Sequence, residues 1–229
     1  MKAMILAAGR GERMRPLTDV CPKPLLEVGG KPLIVWHIER LALAGFHDIV
    51  INHAHLGSLI EAALGTGRTW GVQIQYSPER EALETAGGIA QALGLLGDAP
   101  FLVVNGDVFC DLDFRGFAAR ALTRMTTRGA YAHLALVPNP AHHTAGDFAL
   151  SAEGAVTREG EARLTFSGVG VYRPELFAGI VPGERAKLAP ILRDAMAANR
   201  VSGELLDGRW IDVGTPERLR ELDEDLRAR

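Results

Sequence analysis

The chain opens on an unbroken apolar run, AMILAA (3–8), stopped by Gly9. A run without polar alternation predicts a strand covered on both faces. After a loop, GKPLIVWHIERLALAGF (30–46) sets Leu33, Ile34, Ile38, Leu41 and Ala44 at helical spacing, with Pro32 at the start and Gly45 at the stop. Those two punctuation marks bound a helix. DIVINHA (48–54) then reads as a strand, LGSLIEAALG (56–65) as a short helix and the alternating GVQIQYS (71–77) as a strand. TAGGIAQALGLL (85–96) reads as a helix and FLVVNGD (101–107) as a second fully buried strand. This alternation predicts parallel strands with helices on both sides.

Past residue 110 the rhythm loosens. FRGFAARALTRMTT (114–127) is helical, AYAHLALV (130–137) a strand, and RLTFSGVGVYR (163–173) long and β-rich. KLAPILRDAMAAN (187–199) predicts a helix, RWIDVG (209–214) a short strand, and the charged stretch 215–229 a final amphipathic helix. No linker or repeat divides the chain. The expectation is one α/β domain over 1–229: a doubly wound, mostly parallel, Rossmann-like core (1–138) with a small β-rich portion (139–229) closing one end. Open sheets of this kind bind ligands beyond the carboxyl ends of their strands. The loop after the first strand and the aspartate of NGD both fall at such ends.

Composition narrows the class only slightly. The 229 residues are 47% hydrophobic and 23% charged, with a formal charge of -3 and a pI near 6.2. That balance argues against a surface that coats nucleic acid, so any cationic patch must be local. Cys21 and Cys110 lack metal or disulfide spacing. The opening MKAMILAAG is too short an apolar run for a signal peptide or a membrane span. A cytoplasmic monomer that acts on small molecules, without nucleic-acid or membrane partners, is the expectation.

Local cationic chemistry is what the loop after the first strand provides. LAAGRGERMRPLTDVCPKPLL (6–26) interleaves Gly9 and Gly11 with Arg10, Arg13, Arg15 and Lys23. Glycine frees backbone N–H groups to face phosphate oxygens, and an arginine fork grips a terminal phosphate. Lys23 lies between Pro22 and Pro24, on a stiffened segment. The loop is not a dinucleotide fingerprint, because Met14 stands where a third glycine would be and INHAH offers no ribose-binding acid after the second strand. A bare strand-to-loop turn would explain the glycines alone; the fixed cations tilt the reading towards a phosphate chain.

These residues carry a resemblance. MILAAGRGERMRPLTDVCPKPLLEVGGKPLI (4–34) is similar to the opening of the sugar-1-phosphate nucleotidyltransferases, and the likeness continues in NGD (105–107) and WIDVGTPERL (210–219). YSPEREALETAGGI (76–89), NPAHHTAGDF (139–148), LTFSGVGVY (164–172) and KLAPILRDAM (187–196) resemble the short bacterial members that act on N-acetylmuramate 1-phosphate. The resemblance covers the whole chain. It implies transfer of a nucleoside monophosphate, most specifically from UTP, to that sugar phosphate, with pyrophosphate released, in peptidoglycan recycling. It also implies that 1–138 binds the nucleotide and 139–229 the sugar.

The implied reaction brings a dianion up to a tetra-anion. Two unit charges about 4 Å apart repel by about 1 kcal/mol in bulk water, and more in a dry cleft. Neutralisation and alignment are therefore the main task, for which Mg²⁺ and fixed cations are suited. Asp107 and Asp212 are the candidate metal ligands, since Mg²⁺ takes one or two carboxylates and fills its octahedron with phosphate and water. Asp111 and Asp113 compete, but DLDF reads better as the cap of the helix from Phe114. Lys23 is expected to neutralise the α-phosphate and the incoming sugar phosphate, and Arg13 the β- and γ-phosphates; both are the candidate catalytic residues. Ala8, Gly9, Gly11 and Glu12 complete the phosphate loop.

By resemblance, Glu84, Thr85, Gly87 and Gly88 lie against base and ribose, although the same glycines could simply begin a helix. Asn105 and Asp147 are expected to face the sugar. Glu161 and Arg163 occupy the region where relatives carry a Glu-Lys pair; no lysine stands there, leaving Lys187 or Arg163 as substitutes. His53 and His55 read as a loop pair rather than a zinc site, with no third ligand nearby. His142 and His143 read equally as turn residues or as contacts to the acidic lactyl group. Within the enzyme class, guanylyl or thymidylyl transfer to mannose, heptose or glucose 1-phosphate is the rival reading, and a non-catalytic nucleotide-sugar binder is a more distant one.

Overall fold

A computed structural model describes residues 1–160 and 162–228 of the chain. Its elements run β1 (Ala3–Leu6), β2 (Glu27–Val28), β3 (Lys31–Pro32), α1 (Leu33–Leu43), β4 (Asp48–His53), α2 (Gly57–Leu64), β5 (Gln73–Pro78) and α3 (Glu84–Leu96). There follow β6 (Phe101–Asn105), β7 (Val108–Cys110), α4 (Phe114–Arg128), β8 (Ala132–Val137), β9 (Phe148–Leu150), β10 (Val156–Thr157) and β11 (Arg163–Tyr172). The last are α5 (Leu188–Ala197), β12 (Val201–Leu205), β13 (Trp210–Asp212) and α6 (Pro216–Arg227).

The central sheet is mixed and mostly parallel. β5, β4, β1 and β6 are mutually parallel neighbours. β11 then enters antiparallel to both β6 and β8, and β12 pairs parallel with β8. The first two residues of β11, Arg163 and Leu164, pair antiparallel with β9, which pairs with β10 and extends the same sheet. The mostly parallel sheet agrees with the expectation from sequence; the reversal at β11 is a direction that the sequence reading did not assign. Strand direction leaves no trace in a local apolar pattern, so RLTFSGVGVY reads the same either way. The stretch after 138 therefore contributes β11 and β12 to the same sheet as the first half.

Two apolar clusters explain why the buried strands read as continuous runs. Ile5, Ile51 and Val104 face Ile34 and Ile38 of α1, Ile60 of α2 and Phe117 of α4. Met4, Val50 and Val103 face Ile89 of α3 and Leu192 of α5. Each fully buried side chain of this size stabilises by about 1.5–3 kcal/mol. Both sheet faces are thus covered, as period-free strands require.

Register then sets the site. Leu6 pairs with Asn52 on one side and Asn105 on the other, so three strand ends finish level and flank the loop that leaves β1. A third cluster, Val28, Leu33, Phe109, Val213 and Leu222, binds the β2–β3 hairpin and α6 to a separate β7–β13 ladder. His37 of α1 reaches that ladder through Nε2 and the Val108 carbonyl, 2.7 Å apart. Sequence reading missed β7, β12 and the β2–β3 hairpin. VFC and the two hairpin strands are too short for a period. VSGEL is broken by Gly203, whose Cβ would lie 2.8 Å from the Leu134 carbonyl.

Candidate active site

The loop leaving β1 is shaped by one glycine. Gly11 has φ +64, and a Cβ there would meet Thr18 Cγ2 at 2.9 Å and Lys23 Cβ at 3.2 Å. Thr18 Oγ1 also donates to the Gly11 carbonyl at 2.8 Å. The loop therefore folds back onto the Pro22–Lys23–Pro24 segment, as the prolines either side of Lys23 suggested. In the following turn Met14 is fully buried while Glu12 and Arg13 face outward. Met14, an apolar anchor between Arg13 and Arg15, sets which way those charges point.

Lys23 is the most buried of the expected cations, 7% exposed. A buried lysine needs a partner, and it has one: Nζ lies 2.8 Å from Asp107 Oδ2. Asp107 follows β6 through the tight Gly106 turn, where Gly106 N donates to the Leu6 carbonyl at 2.8 Å. The β7–β13 ladder sets Asp212 opposite Val108, and Val213 N donates to the Asp107 carbonyl at 3.0 Å. The two aspartates expected to bind metal thus stand on adjoining strand ends. Asp212 Oδ2 is held by Arg218 Nη1 at 2.6 Å. Beside it, the point where a Gly214 Cβ would sit is 3.2 Å from both Asp212 Oδ1 and the Arg13 guanidinium nitrogens.

These groups border a cleft of about 520 Å³, lined among others by Ala8, Gly9, Gly11, Glu12, Arg13, Lys23, Glu84, Thr85, Asn105 and Asp107. Four expected site residues do not line it. Asp212 stands at the rim beside Gly214, which does. Gly87 and Gly88 face inward: a Cβ on Gly87 would lie 2.3 Å from the Glu184 carbonyl, and one on Gly88 2.7 Å from Asn52 Nδ2 and Glu79 Oε1. Close approach is what these glycines allow, but to the protein's own atoms. Asp147 is occupied by its own loop, accepting from Phe166 N at 2.8 Å and lying 3.1 Å from His143 Nε2.

Sequence reading also passed over Asn52, Glu79 and Arg185. Asn52 Oδ1 accepts from Ala7 N at 2.9 Å, and Asn52 Nδ2 donates to Glu79 Oε1 at 2.6 Å. Glu79 Oε2 accepts from Leu83 N at 2.8 Å, which fixes the approach to α3. Burial raises the Glu79 carboxyl pKa above its ordinary value, against the hydrogen bonds from Leu83 and Asn52 that favour the anion. Ala86 N and Gly87 N both donate to the Ala186 carbonyl at 3.0 Å, and Arg185 Nη2 donates to Glu84 Oε1 at 3.0 Å. Asn52 was legible as a polar residue near the end of a buried strand; Arg185 sits in a loop with no pattern to mark it.

The remaining candidates separate plainly. Asp113 caps α4, its side chain accepting from Gly116 N at 3.1 Å, while Asp111 pairs with Arg40. His53 is buried against Glu61, 2.7 Å away, and His55 Nε2 lies 3.3 Å from the Thr18 carbonyl. Arg163 and Lys187 are exposed and do not line the cleft, and Glu161 lies outside the described residues. Among the described residues no cluster of three or more His, Cys, Asp and Glu could hold a metal, and no helix is long and apolar enough to cross a membrane. A magnesium ion on one or two carboxylates needs no such cluster.

Residues 2–229 match the family described as nucleotidyl transferase. The chain belongs to that family. As a nucleotidyltransferase it is 62% identical over 224 residues to the N-acetylmuramate alpha-1-phosphate uridylyltransferase of Neisseria meningitidis serogroup B, covering 96% of each chain. It is 38% identical over 227 residues to the enzyme of the same name from Caulobacter vibrioides, covering 94% of this chain and 92% of that one. The mannose-1-phosphate guanyltransferase of Schizosaccharomyces pombe is 32% identical over 236 residues, 95% of this chain but 62% of that one. In fold, the nucleotidyltransferase resembles a Bacillus anthracis protein solved with a sucrose. The TM-score is 0.85 at 23% identity, over 99% of this chain and 95% of that one.

Proposed function

We propose that this nucleotidyltransferase moves the uridylyl group of UTP onto N-acetylmuramate 1-phosphate. The observation that carries this reading is the 62% identity, along essentially the full length of both chains, to a relative named for that reaction. The Caulobacter relative supports it, and the guanyltransferases at 32–34% identity favour the rival, guanylyl transfer to mannose 1-phosphate.

In the transfer, an oxygen of the sugar phosphate attacks the α-phosphorus, one P–O bond forms, and the bond to the bridging α–β oxygen breaks. Pyrophosphate leaves with the electron pair. The attacking phosphate is already ionised at neutral pH, so no side chain has to serve as base. Lys23, held rigid by its prolines and by Asp107, is placed to lower the repulsion between the two phosphates. Arg13 and the backbone of Gly9–Glu12 are placed to hold the β- and γ-phosphates and the departing pyrophosphate. Asn105, Glu84 and Thr85 complete the cleft walls for sugar and nucleoside, and we assign Gly87, Gly88 and Asp147 to shaping those walls from behind.

The donor set fits a magnesium ion. Asp107 and Asp212 are hard oxygen donors on adjoining strand ends, each partly open and each next to a cation that balances its charge. When bound, Mg²⁺ would supply positive charge to the triphosphate.

The test is pyrophosphate release with UTP, GTP and dTTP against N-acetylmuramate, mannose and glucose 1-phosphates. UTP with the muramate sugar is expected to give the highest kcat/KM. No turnover of that pair, alongside turnover of another, would replace the reading with the rival.

A further inference from the structure

Two side chains at the reacting rim have no task in the transfer as described. Arg218, in the first turn of α6, brings a single nitrogen, Nη1, to Asp212 Oδ2 at 2.6 Å, to the Asp212 carbonyl at 3.0 Å and to His142 Nε2 at 3.1 Å. His142 Nε2 itself stands 3.3 Å from the same Oδ2. The pair comes from segments 76 residues apart and meets on one carboxylate oxygen.

Both partners are held in place. Arg218 N donates to the capping Thr215 Oγ1 at 3.4 Å, which fixes the start of α6. The loop bearing His142 is pinned by Asn139 Nδ2, which donates to the carbonyls of Thr144 at 3.1 Å and Arg163 at 2.9 Å. His143 ties the same loop to Asp147. The imidazole is nonetheless open to solvent, with the His142 side chain 40% exposed.

This spot holds more donor capacity than Asp212 uses. One carboxylate carries one negative charge, which the Arg218 guanidinium balances alone. Nε and Nη2 of Arg218 make no hydrogen bond among the described residues. A planar guanidinium with an open edge matches a second carboxylate, and the imidazole, whose Nε2 accepts from Arg218 Nη1, keeps Nδ1–H to donate.

We propose that Arg218 and His142 seat the lactyl carboxylate of N-acetylmuramate 1-phosphate and so select this sugar over sugars with uncharged rings; the proposal rests on the substrate reading above. Every sugar 1-phosphate brings the same reacting group, so the phosphate cannot discriminate. Among the sugars compared, only the muramate sugar adds an anion, and it is attached to the ring that carries the reacting phosphate. Its reader must therefore lie within about a sugar's breadth of the rim, where Arg218 and His142 flank Asp212. A sugar without the lactyl group leaves the open guanidinium edge in water, losing the contact without meeting a clash.

The test uses the full chain, with His142→Ala, His142→Gln and Arg218→Lys compared on N-acetylmuramate 1-phosphate and N-acetylglucosamine 1-phosphate at saturating UTP. A hydrogen bond to a charged group supports discrimination of about tenfold or more. His142→Ala is expected to raise KM for the muramate sugar about tenfold, changing KM for UTP and kcat/KM for the glucosamine sugar less than twofold. Arg218→Lys keeps the charge without the fork and is expected to lose the preference further, with His142→Gln intermediate. Calorimetric binding of the muramate sugar gives the same ranking without turnover. Equal losses on both sugars would assign the pair to holding Asp212 and overturn the proposal, as would unchanged muramate KM and affinity. A wild-type chain that turns over the glucosamine sugar but not the muramate sugar would remove the substrate reading and this proposal with it.

Discussion

Lys23 Nζ lies 2.8 Å from Asp107 Oδ2, so the cationic loop and the acidic rim are joined directly. The lysine end is nearly sealed, 8% exposed, and the aspartate end is 40% exposed. One member is thus fixed by packing and the other lies partly open at the cleft. A cation fixed in this way acts on charge that develops in the transfer more than on binding of the triphosphate.

Lys23→Met is accordingly expected to lower kcat by about 100-fold or more while KM for UTP changes a few-fold at most. Steady-state kinetics with UTP varied decide this. An effect confined to KM would move Lys23 out of the chemical step.

Asp107→Asn and Asp212→Asn each keep an acceptor for Lys23 or Arg218, so the fold is expected to persist in circular dichroism. Turnover is expected to fall by about 100-fold or more, on the scale of losing one preorganised electrostatic group. Calorimetric titration with Mn²⁺ in the presence of UTP should show weakened metal binding in both variants. Unchanged metal affinity would remove these carboxylates as ligands.

Gly11→Ala forces a side chain into a left-handed backbone and against Thr18 and Lys23. Strain of this type costs about 1–3 kcal/mol. The variant is expected to unfold at lower urea concentration and, because Lys23 is the neighbour displaced, to lose activity beyond what its stability explains. Denaturation curves alongside kinetics at low temperature separate the two effects.

Acid sensitivity should trace partly to Glu204, far from the cleft. Burial works against its charge, but hydrogen bonds from His133 and Arg120 outweigh burial and hold its pKa at about 2, below the ordinary 4.5. The unfolded chain therefore takes up the proton first as pH falls. The contribution is complete above about pH 4.5 and is lost as pH falls through that value towards 2. Glu204→Gln is expected to be less stable than wild type at pH 7, with the gap narrowing below pH 4.5 in unfolding experiments. A gap independent of pH would exclude the linkage.

Much of the fold was legible because period-free apolar strands and punctuated helices carry their own boundaries, as in AMIL before Gly9 and Leu33–Leu43 between Pro32 and Gly45. The direction of β11 was not, since pairing partners from distant parts of the chain decide it. The site followed the same division. Gly11, Arg13, Lys23, Asp107 and Asp212 were singled out by residue type, strand-end position and resemblance, and the fold brings them to one rim. Gly87 and Gly88 lie in the first turns of α3, the alternative the sequence left open, because a glycine signals close approach without naming what approaches. Asn52, Glu79 and Arg218 act through partners that only tertiary structure supplies.

The placement of β11 has a consequence for how the protein is made. β6 has β1 on one side, but its other neighbour is a strand ending at Tyr172. During synthesis the nascent chain must hold the apolar edge of β6 unpaired while some sixty further residues are translated. A ribosome stalled before residue 163 would therefore present an aggregation-prone fragment rather than a folded half.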